Sequence, residues 1–326
     1  MKLDPLDYRI LDQLDRNARL SSDKIARALK VSADTVLYHM TKMQQAQVLE
    51  RCTAVIDLAS LGLLLFRVSL RLTKNISVAS LEKKLFQQSY FFLIVETRGE
   101  HDLILWGAAP TLNQVQNAFS FCQEKLASVI RDSSLELITE TVAYSRGYLI
   151  NRPGKLFPAR GNQPVKKLDV IERKILQELR QDARLPVTLI ADRLKTTPAI
   201  VAYRIEKLER QGIISGYRVH LNSEIIGLQR FRVQLEFRSN FKRGSAALRK
   251  FCEVTPAITR LEFQIGAWSA EIGLEIQSFA ALHEILDQLK ALEGGNLQVV
   301  GVVLFRRTVS APSQLWDKLL EIPTAS

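Results

Sequence analysis

Apolar residues recur at helical spacing near the start of the chain and again near its middle. Leu6, Ile10 and Leu14 form one stripe, and Ile171, Ile175 and Leu179 form another, so each region predicts an amphipathic first helix. Asp4 before Pro5, and Asp169 before an acidic Glu172, supply the helix starts. A short second helix follows with Ile25 and Leu29, or Ile190 and Leu194. A third opens at Ser32 or Thr197 and buries Val36, Met40 and Met43, or Val201, Ile205 and Leu208. Only Lys30-Val31-Ser32, or Lys195-Thr196-Thr197, separates the second helix from the third, the length a helix-turn-helix requires. In the later region Gly212 ends the third helix and Ser215 to Leu221 reads as a β wing. The earlier region has Gln47 at that place, which predicts a differently built turn.

The two regions are copies. Sliding the chain by 165 residues superimposes Ala18-Arg19-Leu20 on Ala183-Arg184-Leu185 and Phe66-Arg67-Val68 on Phe231-Arg232-Val233 without a gap. About 21 of some 70 aligned positions are identical. After each head the pattern becomes strand, helix, strand, strand, helix, strand. The segments are Leu64 to Leu72, Val78 to Gln88, Phe91 to Thr97, Asp102 to Ala108, Thr111 to Val129 and Leu135 to Ala143. They recur from Phe231 to Thr308. This order predicts an α+β class in which two winged helix-turn-helix domains alternate with two ferredoxin-like βαββαβ domains. The expected boundaries are 1–60 and 168–225 for the heads, 61–145 and 226–312 for the α+β domains, and 313–326 for a C-terminal tail. Residues 146–167 hold Arg146, Arg152, Lys155, Arg160, Lys166 and Lys167 among Gly and Pro with no acid, and read as an extended basic linker. Each sheet has one face uncovered by helices, so pairing of the two units within the chain, between chains, or both is expected.

Charge narrows the partners. Lys and Arg number 45 against 34 Asp and Glu, a formal +11, which suits a polyanion such as double-stranded DNA. The heads themselves are less basic, with eight cationic residues against seven acids over 3–56 and ten against seven over 168–219. Apolar runs fall short of the roughly 20 residues that span a bilayer, and the acidic start lacks a signal-peptide core; the expectation is a cytoplasmic chain without membrane contact. Cys52, Cys122 and Cys252 lie far apart, and four scattered histidines show no ligand spacing, so neither disulfides, a metal nor a cofactor is expected. Phosphate-loop, nucleophile-elbow and zinc-protease motifs are missing from the sequence.

The pattern L-D-x₅-I-L-x₂-L-x₃-A-R-L-x₄-I-A-x₂-L over Leu3 to Leu29 and Leu168 to Leu194, with Tyr203 to Tyr217 as third helix and wing, resembles the Lrp/AsnC (feast/famine) regulators. Members of that family join one such head to one effector-binding α+β domain, so two units in one chain depart from it. The resemblance implies a sequence-specific DNA-binding transcription regulator with no enzymatic activity. A recognition helix reads bases with its first turns in the major groove. The DNA-facing candidates are therefore Ala33, Thr35, Tyr38, His39 and Lys42 in the first head, and Pro198, Ala199, Ile200, Tyr203, Arg204 and Lys207 in the second. Arg204 and Lys207 are expected to reach guanine edges or phosphates. The loop Gly99, Glu100, His101, Asp102 resembles the family's effector turn, with Gly266 its counterpart, which implies a small-molecule effector of the amino-acid type. Two alternatives stay open. His101 to Trp106 resembles the H-x-x-x-L-W stretch of sirohaem decarboxylases, and a protein-interaction scaffold would use the same winged folds.

Overall fold

The computed structural model describes residues 3–73, 76, 78–87, 90–157 and 164–321. Gln88 of the expected first α+β helix, Pro158, Arg160 and Gly161 of the expected linker, and residues 322–326 of the expected tail lie outside the described residues.

The first head consists of α1 (Pro5–Arg16), α2 (Ser22–Leu29), α3 (Ala33–Gln45) and β1 (Leu49–Ile56). Its α+β domain holds β2 (Leu64–Leu72), α4 (Val78–Leu85), β3 (Phe91–Gly99), β4 (Leu103–Ala109), α5 (Leu112–Lys125) and β5 (Ile130–Ala143). The second head has α6 (Val170–Gln181), α7 (Val187–Leu194), α8 (Pro198–Arg210) and β6 (Ile214–Leu221). It is followed by β7 (Gln229–Phe237), α9 (Phe241–Val254), β8 (Ile258–Ile265), β9 (Ala270–Ile276), α10 (Phe279–Ala291), β10 (Leu297–Ser310) and α11 (Ser313–Glu321).

The expected helix starts are present. Asp4 and Asp169 cap α1 and α6 in reciprocal boxes with Asp7 and Glu172. Ser32 Oγ accepts from Thr35 N at 3.0 Å and Thr197 Oγ1 from Ile200 N at 3.3 Å. The turn after α3 differs from expectation. Gln47 adopts the same left-handed conformation as Gly212, with φ 56° and 74°, so the first copy repeats the turn and carries about 1–2 kcal/mol of Cβ strain in it.

The heads are fused through their wings. β1 and β6 pair antiparallel with Thr53 opposite Arg218, the same position of the duplicated unit, so a local two-fold axis passes through that pair. Bonds on either side obey it. Ala18 N donates to Tyr217 O and Ala183 N to Cys52 O; Arg19 donates to Ala183 O at 2.7 Å, while Arg184 donates to Ala18 O and Leu20 O at 2.9 and 2.7 Å. One apolar core runs through both heads, including Ile10, Leu14, Met43, Ile175, Leu179 and Leu208.

The α+β domains obey the same symmetry. Their strands form one closed antiparallel barrel in the order β10-β3-β4-β2-β5-β8-β9-β7. Each copy supplies its own four strands, and the joins are β5 on β8 and β10 on β3. The bulges in β5 and β10 recur at Ile138/Glu140 and Phe305/Arg307, 167 residues apart, two more than in the heads because the second copy is longer between its first two strands. Helices α4 and α5, and α9 and α10, cover the outside with separate apolar cores around Phe66, Leu85 and Phe91, and around Leu248, Leu261 and Leu289. The expected pairing of uncovered sheet faces therefore occurs inside one chain.

Two segments are less loose than their composition implies. Residues 144–157 form no tether: Tyr144 bridges to Leu156, Arg146 is half-buried and pairs with Asp15, and Gly147 and Gly154 pack against backbone where a Cβ would lie 2.1 Å from Arg152 O or Ser145 O. The expected tail holds α11, which buries Leu319 and Leu320 and stacks Trp316 between Phe92 and Arg180. All three cysteines are buried and unpaired.

Because Arg184 closes the two heads on each other with two charge-assisted bonds, Arg184→Ala should cost about 1.5–3 kcal/mol. Urea denaturation followed by circular dichroism reads this loss as a lowered midpoint at unchanged slope.

Candidate functional site

Each recognition helix packs one side into the shared head core and leaves the other side open. On α3 Leu37 and Tyr38 are 49% and 68% exposed, and on α8 Ile200 and Tyr203 are 41% and 57% exposed, which defines one open face on each. Asp34 and Thr41 extend the first face; Pro198, Ala199 and Glu206 extend the second. Thr35 spends its hydroxyl at the cap, 2.8 Å from Ser32 Oγ, and Ala33 packs half-buried on the head core.

The charged candidates turn inward. His39 Nδ1 lies 2.7 Å from Asp7, and Lys42 Nζ lies 3.5 and 3.6 Å from Asp7 and Asp4. Arg204 bonds Asp169 and Glu172, and Lys207 Nζ lies 2.6 Å from Glu172. Both copies thus brace the recognition helix against the first helix with the same four positions. Burial opposes ionisation of Glu172, but the bonds from Lys207 and the Asp169 backbone hold its carboxyl below the usual range. The expected reach of Arg204 and Lys207 toward guanines or phosphates is not the arrangement found. Their cationic ends are occupied within the head.

The glycine loops sit at the barrel end farthest from the heads. Asp102 Oδ2 accepts from Leu72 N at 2.8 Å, so the carboxylate expected to hold an effector caps a neighbouring strand. Glu100 pairs with Arg71 at 2.5 Å. At Gly99, φ 123°, a Cβ would lie 2.3 Å from Val302 O, which is a requirement of strand packing. Gly266 meets the same requirement, since at φ 153° a Cβ would lie 2.7 Å from Leu135 O, and it also lines a cavity of about 380 Å³ with Phe241, Phe263 and Trp268. His101 stacks on Trp268 with ring centres 5.6 Å apart, and these are equivalent positions of the two copies meeting on the two-fold axis. Burial, then the positive Arg67 and Arg71, pushes His101 down to about 4.

Where apolar faces would be the simplest filling, the barrel interior is charged. Arg67, with no exposure, donates to Glu136, Glu271 and Gln264 at 3.3, 2.6 and 2.6 Å and lies between the rings of Trp106 and Trp268. Its counterpart Arg232 is 3.8 Å from Glu271 and lies over Phe305. The position occupied by Trp106 in the first copy is Gly273 in the second, where a Cβ would lie 2.3 Å from Arg232 Nη1. The glycine gives the Arg232 guanidinium its room, and Trp106 and Gly273 border the same space.

The space opens toward the heads as a cavity between the β1–β6 ribbon and the barrel mouth. Its inner lobe of about 220 Å³ is lined by Arg146, Arg230 and Arg232, and its outer lobe of about 290 Å³ by Arg51 and Arg180; Trp106, Arg218, His220 and Arg260 line both. Asp57, Glu262 and Glu275 are the carboxylates in the wall. Arg146 is committed to Asp15 and Glu275 at 2.5 and 2.9 Å, and Arg260 to Glu262 at 3.1 Å. Burial and the neighbouring Arg260 lower Arg232 to about 10, and burial followed by Arg51, Arg146 and Arg218 pushes His220 down to about 3. None of these side chains was among the sequence candidates. The signal was present in β7, where Arg230, Arg232 and Gln234 alternate with Phe231, Val233 and Leu235, the period that puts charge on one whole sheet face.

With this geometry in place, similarity to known proteins can be set beside it. The winged helix-turn-helix DNA-binding family matches residues 3–50 and 168–215, one match per head. The HTH-type transcriptional regulator LysM of Saccharolobus solfataricus is 26% identical over 127 residues, 39% of this chain and 87% of that protein. The leucine-responsive regulatory protein of Salmonella typhimurium is 34% identical over 98 residues, 28% of this chain and 59% of its own length. Each head thus matches the winged helix-turn-helix family and is similar to regulators of the Lrp/AsnC type. A solved structure of the siroheme decarboxylase NirDL, in complex with an iron-uroporphyrin III analogue, shares the whole fold, covering 98% of both chains at a TM-score of 0.62 and 8% identity. The expectation that this architecture carries no enzymatic activity does not stand, because a protein with the same duplicated fold is an enzyme. Among the described residues, no helix is long and apolar enough to cross a membrane.

His101 and His220 stay neutral in the fold while an unfolded chain protonates both near 6.5. Stability should therefore fall as pH drops from about 6.5 toward 4, and His101→Gln should remove about 2 kcal/mol of that fall. Guanidinium denaturation of both proteins at pH 7 and pH 4.5 measures the difference.

Proposed function

We propose that this tandem-duplicated chain of the Lrp/AsnC kind is a transcription regulator that reads two unlike DNA half-sites with a single polypeptide. The observation carrying the reading is the pair of exposed recognition helices on heads locked two-fold by the β1–β6 ribbon and the Arg19 and Arg184 clasps. A symmetric dimer of single units presents two identical helices, whereas here the open faces differ. The first offers Asp34, Leu37, Tyr38 and Thr41; the second offers Pro198, Ala199, Ile200, Tyr203 and Glu206. An exposed aspartate accepts from a cytosine amine and is repelled by phosphate, while isoleucine and alanine suit thymine methyl groups. Arg204 and Lys207 set the pose of α8, and with His39 and Lys42 they act on DNA through the placement of the helix.

Modulation by a small molecule is part of this proposal. At the first glycine loop Asp102 is engaged with Leu72 N, so the amino-acid-type effector site is better supported at the cavity beside Gly266 than at Gly99 to Asp102.

A second reading, decarboxylation of a tetrapyrrole, is favoured by the shared fold and by an arginine-lined cavity whose charge suits carboxylates. His101 lies at the opposite end of the barrel from that cavity. A shift of the tetrapyrrole absorption band on titration with siroheme would support this reading, and an unchanged spectrum would dispose of it.

Footprinting on genomic fragments should give two protected half-sites of different sequence, about 10 or 20 base pairs apart. Tyr38→Ala and Tyr203→Ala should each weaken binding by about 1–3 kcal/mol in gel shifts and relax protection at their own half-site only. Strictly palindromic footprints, or affinity unchanged by both substitutions, would reject a chain that reads two sites.

A further inference from the structure

We infer that the cavity between the β1–β6 ribbon and the barrel mouth is a binding site for a small organic polyanion carrying two or more carboxylate or phosphoryl groups. Seven arginines line its two lobes against three carboxylates. Two of those carboxylates are already bonded, Glu275 to Arg146 and Glu262 to Arg260. Behind the wall Asp15 pairs with Arg146 and Arg218, and Glu271 lies 3.8 Å from Arg232, so the surplus rests on Arg51, Arg180 and Arg230, which have no ion pair of their own among the described residues.

Independent signs of an absent acceptor lie in the same walls. Trp106 is 6% exposed and lines both lobes, yet its Nε1 has no hydrogen-bond partner among the described residues. Arg232 Nη1 in the inner lobe and Arg180 Nε in the outer lobe are likewise buried donors without acceptors. A native fold leaves few such groups unmatched, and the donors here outnumber Glu262 Oε2, a buried acceptor without a hydrogen bond in the same walls. Arg180, Arg218 and Arg232 are held below the usual guanidinium range by burial, with neighbouring arginines adding to it at each. An anion reverses that penalty, because guanidinium groups bind carboxylate and phosphoryl oxygens with paired, charge-assisted bonds.

Size and shape narrow the class. Lobes of about 220 and 290 Å³ meet at Trp106, Arg218, His220 and Arg260, at the small end of ligand pockets, which run about 300–1,000 Å³. A two-lobed space with cations in both lobes suits a short molecule with charge at each end. His220 is already bonded through Nε2 to Thr53 Oγ1 at 2.8 Å, so the arginines supply the recognition. The site stands apart from the DNA-reading faces, and a failure of DNA binding leaves it untouched.

Calorimetric titration of the full chain with citrate and, separately, with pyrophosphate tests this, with sodium chloride at matched ionic strength as the control. Saturable one-to-one binding of either probe is expected, and which probe binds more tightly distinguishes the carboxylate from the phosphoryl source. Arg51→Gln in the outer lobe and Arg230→Gln in the inner lobe should each raise the dissociation constant about 10-fold or more. Both positions border the cavity without an ion pair among the described residues, and unchanged circular dichroism of each variant establishes that the fold is intact. Heats that sodium chloride reproduces, binding that neither substitution weakens, or saturable binding of iron-uroporphyrin with neither small anion would overturn the inference.

Discussion

A four-stranded sheet with helices on one side has a bare face and two open edges, and neither is tolerable in water. Everything else in this molecule follows from how the duplication meets that constraint. The second copy covers the face of the first, and β5 on β8 with β10 on β3 closes both edges at once. The same two-fold relation continues into the heads, where wing pairs with wing at Thr53 and Arg218. Since the copies are covalently joined, an interface that two chains must form at a concentration-dependent cost is formed here within one.

A two-fold frame built from unequal copies can hold features that a symmetric dimer cannot. Arg67 and Arg232 are equivalent positions, yet one is clamped between Trp106 and Trp268 with three oxygen partners, while the other lies over Gly273 with an unmet donor. A symmetric pair of tryptophans would fill the mouth of the barrel, and a symmetric pair of glycines would leave it loosely packed. One of each gives a rigid wall and an open lobe side by side. The same inequality separates the recognition faces, although their internal braces are matched pair for pair.

The distribution of charge also reads differently in three dimensions. A formal +11 suggests a basic surface for a polyanion, but the heads are close to balanced and seven arginines line the cavity between ribbon and barrel. Part of the cationic surplus is therefore directed at something small enough to enter the molecule. The face proposed for DNA is a mixture of aromatic, aliphatic and acidic groups.

The order of elements, the caps at Asp4, Ser32, Asp169 and Thr197, the duplication and the need for sheet pairing were all determined by the sequence alone. Those features depend on neighbours within a few residues or on a repeat visible by sliding the chain. Tertiary structure decided the rest. Composition marked residues 146–167 as a linker because Gly and Pro there look like flexibility, whereas Gly147 and Gly154 pack tightly against backbone. Arg204 and Lys207 looked like base contacts because a cation on a recognition helix has two possible partners, and the acids that claim them sit 35 residues away on α6. Gln47 was expected to change a turn that the surrounding head imposes regardless of its Cβ. The cavity arginines come from β1, β6, β7, β8, the segment 144–157 and α6, so their convergence exists only once the barrel and ribbon have closed. Alternation along β7 showed that one face was charged. Only the meeting of two such faces decided that the charge would be buried.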